Sequence, residues 1–302
     1  MSNAYLHFWG VRGSYAAPFA SHLKVGGNTS CVEIRVDGHV LVCDAGTGII
    51  PFGNEMMKQN EIRELAVVLT HYHWDHVCGL PFFVPAFSPD WKINFFGPGA
   101  DTHEIENHFA AQMRAPYFPV GTETWLANVN YIAPSTNGFQ HGPINIQYSN
   151  VHHPGATFGY RIKANGKNII YISDNECKFI EKSFNRRSEE LNDEERDLYQ
   201  AMIEEEHQSE LNLLNGADIL IHDAQYTPED YDTKQGWGHS CYIDTINMAI
   251  DAGVKELYLY HHDPNYDDNA MDDIDTNAQK IIKDRNSSMK CYIAKEGIKV
   301  EL

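Results

Sequence analysis

The stretch Thr70-His71-Tyr72-His73-Trp74-Asp75-His76 sets three imidazoles and a carboxylate within six residues. It follows residues 66–69, an uninterrupted apolar run of strand length, so it occupies the loop at that strand's carboxyl end. Burying such groups unpaired would be costly. Imidazole nitrogen and carboxylate oxygen are also the donors that zinc and similar divalent ions prefer. Side-chain alternation sends His71 and His73 to one side, while Asp75 and His76 turn away after them. One loop can thereby feed two neighbouring ions.

The 302-residue chain as a whole is 42% hydrophobic and 22% charged, enough apolar material for a core and too much for a disordered chain. No apolar run approaches the roughly 20 residues of a membrane span, so no membrane partner is expected. Residues 1–11 lack the basic-then-apolar pattern of a secretory leader. Six cysteines, at 31, 43, 78, 177, 241 and 291, lie singly with no C-x-x-C pair. They read as reduced, buried thiols of a cytoplasmic protein, not as a disulfide framework or a thiolate metal site. A net charge of −19 repels polyanions. It weighs against nucleic acid as a partner, leaving room only for a local basic patch. Sheet edges and helical surfaces would allow a homodimer, but no feature specifies one.

Short β-like runs at 5–9, 31–36 and 39–43 open the chain, with Asp37-Gly38 as a hairpin signal between the last two. A helix is expected over 50–59. A second hairpin is expected at 159–163 and 168–172 around Asn165-Gly166. Buried strands follow at 218–221 and 256–260, the latter after a helical stretch at 244–253 with a glycine stop. Residues 192–214 read as an amphipathic helix with Leu198, Met202, Leu211 and Leu214 on one side. From Glu176 to Glu210 there are 12 acidic residues against five basic ones, read as a solvated helical face. Both halves mix strands and helices, and candidate metal donors come from both. An α/β layered fold in a single domain over 1–302 is therefore expected, with a helical acidic insertion at about 176–215.

His71-x-His73-x-Asp75-His76 resembles the signature of the metallo-β-lactamase superfamily. Asp44, in Leu41-Val42-Cys43-Asp44-Ala45-Gly46-Thr47-Gly48, resembles that family's structural aspartate beneath the metal loop. His153 lies six residues before Gly159-Tyr160-Arg161-Ile162, a spacing similar to the third metal motif of the tRNase Z-like branch. Asp174 resembles the bridging aspartate, and His261, after 257–260, the last ligand. The resemblance implies an αββα sandwich of two mixed β-sheets flanked by helices, and two divalent ions, zinc first, with manganese or iron as alternatives. It implies that His71, His73 and His153 hold one ion, that Asp75, His76 and His261 hold the other, and that Asp174 bridges them. His152 and His262 stand as alternatives to their neighbours. His7, His22, His39, His103, His108, His141 and His207 lie outside clusters and read as structural.

Leu220-Ile221-His222-Asp223-Ala224-Gln225-Tyr226 and Gly236-Trp237-Gly238-His239-Ser240-Cys241 resemble two further motifs of the tRNase Z-like phosphodiesterases. That resemblance makes His239 the group contacting the phosphate or protonating the leaving oxygen, with Asp223 orienting it; the bland alternative has His239 capping the helix near Asp244. Asp75, His239 and Asp223 are thus the candidate catalytic residues. The expected activity is hydrolysis of a small or cyclic phosphodiester, such as a cyclic nucleotide, by hydroxide generated between two metal ions. The tRNA-processing members carry a basic arm where this chain has an acidic insertion, which favours the small substrate. Alternatives are a tRNA 3′-processing endonuclease, a hydrolase of esters, thioesters or lactones, and a non-catalytic nucleotide sensor. The aromatic stretch 82–96 and segment 113–119 read as a lid or as packing, and Arg12, Arg114 and Arg161 as candidate phosphate contacts.

Overall fold

Two tight hairpins mark corresponding points in the two halves of the chain. Asp37 and Gly38 turn with φ of 48° and 86°, and Asn165 and Gly166 with φ of 47° and 76°. Consecutive left-handed residues are what a two-residue hairpin with the right-handed strand twist requires, hence the Asp-Gly and Asn-Gly pairs. The computed structural model describes residues 4–59 and 61–302.

The first half runs β1 (Tyr5–Gly10), β2 (Cys31–Val36), β3 (His39–Cys43), α1 (Ile49–Met57), β4 (Glu64–Val68), α2 (Trp74–Val77), β5 (Lys92–Phe96), α3 (Thr102–Gln112) and β6 (Asn128–Ile132). The second runs β7 (Phe139–His141), β8 (Ile144–Asn150), β9 (Phe158–Ala164), β10 (Lys167–Ile172), α4 (Phe179–Arg187), α5 (Asp193–Leu214), β11 (Ile219–Asp223), α6 (Pro228–Lys234), α7 (Tyr242–Asp251), β12 (Glu256–Tyr260), α8 (Asp268–Asp284), β13 (Lys290–Ile293) and β14 (Lys299–Glu301). The strands form two seven-stranded sheets, ordered β14-β1-β2-β3-β4-β5-β6 and β13-β12-β11-β10-β9-β8-β7. Each is mixed. Pairing is antiparallel through β14-β1-β2-β3 and β7-β8-β9-β10, and parallel from β3 to β6 and from β10 to β13.

Alternation along the central strands builds the layers. On β3 and β4, Leu41, Cys43, Ala66 and Val68 turn inward to a core shared with Ile146, Tyr160, Ile162 and Tyr171 of the second sheet. Val40, Val42, Leu65 and Val67 turn outward to a second core with Ile49 and Phe52 of α1 and Ile105 and Phe109 of α3. Helices α7 and α8 cover the far side of the second sheet through Ile246, Ala249, Met271 and Ile274. Because both faces of β4 are covered, it reads as a continuous apolar run rather than an alternating one. This is the αββα sandwich expected from the sequence. Among the described residues no helix is long and apolar enough to cross a membrane.

The helix expected over 192–214 forms as α5, with Asn192 as its N-cap in a capping box with Glu195. Its apolar stripe is only half used: Leu214 is buried, whereas Leu198 and Met202 are exposed. The stretch 82–96 is mostly core, with Phe83, Trp91, Phe95 and Phe96 buried, while Phe82 stays exposed and packs edge-on against Phe118 of the 113–119 segment. All six cysteines are free.

The catalytic-looking loop after β4 is fixed by close backbone approach. Gly79 donates its N–H to Ala45 O at 3.0 Å. A Cβ there would lie 2.1 Å from Gly46 O and 2.6 Å from Ile49 Cγ2. Gly79→Ala is therefore expected to cost about 1–3 kcal/mol, as overpacking does, measured by urea unfolding; an unchanged midpoint would refute the close-packing argument.

Candidate metal centre

Asp44, at the end of β3, adopts φ 60° and is fully buried. Its carboxylate accepts from the Thr70 backbone N–H at 2.8 Å, from Thr70 Oγ1 at 3.0 Å, from His76 Nδ1 at 2.8 Å and from Tyr171 OH at 2.8 Å. The histidine loop thus stands on a buried carboxylate that also reaches across to the second sheet. Thr70 Oγ1, already donating to Asp44, accepts from His71 Nδ1 at 3.0 Å. His153 Nδ1 donates to Gly238 O at 2.8 Å, and His261 Nδ1 to Gln225 Oε1 at 2.8 Å. In all four rings the Nδ1 proton is committed outward, which leaves the Nε2 lone pair aimed inward.

Those lone pairs converge. His76 Nε2 lies 3.2 Å from His261 Nε2, and His153 Nε2 lies 3.1 Å from His73 Nδ1. Asp75 Oδ2 is 3.1 Å from His261 Nε2. Asp174 Oδ1 is 3.1 Å from His76 Nε2, while its Oδ2 is 3.7 Å from both His71 Nε2 and His153 Nε2. Donor atoms of His71, His73 and His153 lie within 4.8 Å of one another, as do those of Asp75, His76 and His261, and those of His71, His76 and Asp174. All seven residues expected to hold ions are thus brought together, with Asp174 touching both sets.

The electrostatics favour cations at this point. Burial and the neighbouring His76 push His71 well below the ordinary imidazole range, holding it in the neutral form that ligates. Burial works against charge on His76, yet Asp174, Asp75 and Asp44 together hold it well above that range. Burial opposes the charge on Asp174, but His261, His76 and His71 outweigh it and hold its carboxyl well down. His71 Nε2 and Asp174 Oδ1 are buried with no hydrogen-bond partner. Facing lone pairs, convergent carboxylates and orphaned donor atoms make up a set that divalent cations would satisfy, so the residues present fit such ions.

His239 sits beside this set without capping α7, whose N-cap is Cys241. Its Nδ1 donates to Asp223 Oδ2 at 2.7 Å, and its ring stacks on His261 at 5.0 Å and lies 5.0 Å from His153. Burial pulls its pKa down, but Asp223 outweighs that and lifts it to about 9. Asp223 also accepts from the N–H groups of Asn175 and Gln225, which fixes it at the end of β11.

His262 points elsewhere: Nε2 bonds Ala294 O at 2.9 Å. His152 stacks on Phe179 at 3.7 Å. Arg12 is not a phosphate contact, since its guanidinium is buried against the carbonyls of Gly26, Asp263 and Tyr266. Arg161 is likewise committed, to the carbonyls of Asn212 and Leu213. Arg114 is exposed. Sequence reasoning missed three supports. Gln225 orients His261, and the Ser14 N–H donates to Asp75 at 2.6 Å. Glu176, read as the start of a solvated acidic run, is buried; it accepts from Tyr231 OH and from the N–H groups of Gly236 and Gly238. It thereby holds the loop that carries His239. Only the position of Glu176 directly after Asp174-Asn175 could have signalled this.

A model of the metallo-β-lactamase superfamily matches residues 25–172. Among curated proteins, Ribonuclease Z of Thermoplasma volcanium is 25% identical over 292 residues, covering 88% of this chain and 90% of that one. Ribonuclease Z of Brevibacillus brevis is 40% identical over 81 residues, covering 26% of each chain. Among solved structures, the metallo-β-lactamase fold protein YhfI from Bacillus subtilis aligns with TM-score 0.67 at 19% identity, covering 99% of both chains. The human tRNase Z short form aligns with TM-score 0.61 at 16% identity, covering 98% of both. A diphosphatase of the PhnP family aligns with TM-score 0.64 at 17% identity, covering 99% of this chain and 98% of that one.

His262 gives a pH signature separable from the candidate ligands. Burial, then Arg12, depresses its pKa from 6.5 to about 3. The folded state keeps it neutral while the unfolded chain binds a proton below 6.5, so this contribution is whole above pH 6.5 and is lost as pH falls toward 3. Between pH 6.5 and 4.5 the unfolding free energy should fall by up to about 1.4 kcal/mol per unit from this group. The slope should flatten in His262→Gln; equal slopes would contradict the assignment.

Proposed function

Because this chain belongs to the metallo-β-lactamase superfamily, we propose that it is a dinuclear metal-dependent phosphodiesterase acting on a small or cyclic phosphodiester. On this reading His71, His73 and His153 hold one divalent ion, Asp75, His76 and His261 the other, and Asp174 touches both. Zinc suits these donors best, with manganese or iron as alternatives. Bound there, the ions would supply Lewis acidity, polarising phosphoryl oxygens and easing deprotonation of water at neutral pH.

The observation that carries the reading is His239. Its Nδ1 proton is taken by Asp223 at 2.7 Å while its ring lies against both His153 and His261. A protonated imidazole in that position can deliver the Nε2 proton to a departing alkoxide, the step that most limits diester cleavage when the leaving group is poor. Asp223 fixes the ring's orientation and favours its protonated state. Cations bound nearby would bring its pKa down from about 9 toward neutrality, where proton donation is most effective. Glu176 and Gly238 keep the His239 loop in contact with His153.

The Ribonuclease Z relatives favour a second reading, tRNA 3′ processing. Against it stand a net charge of −19 and the acidic helix α5. Lys and Arg contacts to phosphate carry most of the affinity for a nucleic-acid backbone.

Chelation should abolish hydrolysis of bis-p-nitrophenyl phosphate and of cyclic nucleotides, and added zinc or manganese should restore it. His239→Ala should lower kcat by about 10²- to 10⁴-fold with metal content unchanged. Cleavage of precursor tRNA with no turnover of small diesters would support the second reading, and diesterase activity indifferent to chelation would exclude both.

A further inference from the structure

A cavity of about 520 Å³ opens directly beside His71 and His73, between the loop after β5, helix α3 and the loop that carries His153. Its volume is in the range that holds small organic ligands. One wall is aromatic. Tyr72 is pinned by its hydroxyl, which donates to Pro98 O at 2.9 Å, and His108 of α3 lies against the Tyr72 ring at 4.3 Å. Read from sequence as a structural histidine, His108 is in fact exposed and lines this cavity. Pro98 and Pro154 add rigid apolar surface. The one ionisable acid in the lining, Glu104, accepts from the Ala100 N–H at 2.7 Å and stands 3.7 Å from His108. A carboxylate has about four acceptor sites, so Glu104, about half exposed at the rim of this cavity, keeps acceptor capacity beyond its bond from Ala100.

What such a space accepts follows from its chemistry. None of the described residues lining it is Lys or Arg, so the anionic phosphate has no partner there and stays at the histidine and aspartate cluster. The group that enters must be uncharged, flat enough to lie on an aromatic wall, and equipped with donors for a carboxylate. We propose that this cavity is the subsite for the nucleoside portion of the substrate, with Tyr72 and His108 as its stacking wall and Glu104 accepting from ribose hydroxyl or base amino groups. The inference rests on the phosphodiesterase reading above and narrows it to nucleotide diesters. A polynucleotide would have to thread further phosphates past Glu104, which like-charge repulsion opposes.

The test compares wild type with His108→Ala, a change at an exposed helical position. One arm measures, in metal-loaded protein, the ratio of kcat/KM for 2′,3′-cyclic AMP to that for glycerol 1,2-cyclic phosphate, which has no ring to stack. The other measures adenosine binding to metal-free protein by calorimetry. Losing one base–aromatic stack should lower the kinetic ratio about tenfold, through KM rather than kcat, and weaken adenosine binding by a similar factor. Both quantities unchanged in His108→Ala would overturn the subsite while leaving the diesterase reading standing. Weakened adenosine binding in a protein that hydrolyses neither diester would uphold the subsite and overturn the reading it was built on.

Discussion

The buried carboxylate of Asp44 is the constraint from which the site is built. It takes four hydrogen bonds, three from the loop after β4 and one from Tyr171 of the opposite sheet. A carboxylate with no exposure must be satisfied in this way or be neutralised. Satisfying it fixes the His71–His76 loop relative to both sheets at once. The loop's ring orientations then follow. His76 is aimed by Asp44 directly, and His71 by Thr70, whose hydroxyl Asp44 has already claimed.

The second half of the chain makes a matching commitment. Asp44 and His261 each end a strand, and each has a left-handed backbone, with φ of 60° and 58°. Non-glycine residues there cost about 1–3 kcal/mol and persist only where the surroundings over-determine them. For Asp44 the surroundings are the four bonds above. For His261 they are the Gln225 amide and the close approach of Gly13, where a Cβ would lie 2.5 Å from the imidazole. The chain therefore places these two left-handed residues and its convergent donor atoms at the same end of the sandwich, outside the carboxyl ends of the parallel strands. That is where open α/β sheets leave a crevice.

The sequence made the donor atoms legible because metal-binding chemistry restricts residue type. Three histidines and an aspartate in six residues have few other uses, and the isolated His153, Asp174 and His261 each sit at a strand end or beside a glycine turn. The hairpins were legible for a similar reason: Asp37-Gly38 and Asn165-Gly166 satisfy a backbone rule that few residue pairs can. What supports the donors was not legible. Gln225 and Ser14 support donors through one hydrogen bond each and Glu176 through bonds from Tyr231, Gly236 and Gly238, all across the fold, and any amide, backbone N–H or carboxylate can make such bonds. Glu176 looked like its acidic neighbours, since burial is set by what packs over a residue rather than by its own type. Arg12 and Arg161 erred in the opposite direction. Their side chains are chemically suited to phosphate, but backbone carbonyls had already taken them.

That commitment of the arginines bears on how an anion can be held here at all. Arg12 and Arg161 are bound to carbonyls, and Lys234 to Asp263 at 3.2 Å. Around the site stand the buried carboxylates of Asp44, Asp75, Asp174 and Asp223. In a chain of net charge −19, this end of the sandwich repels a phosphate unless cations are in place. On the proposed reading the metal centre is therefore the anion-binding site as well as the source of Lewis acidity. One phosphate is what such a centre can neutralise. A substrate carrying many phosphates gains nothing from the second and later ones, while a neutral appendage gains from the aromatic and apolar surface alongside. On that reading, selectivity for a small diester follows from where the positive charge is confined, and the Glu104 carboxylate beside the site adds to it.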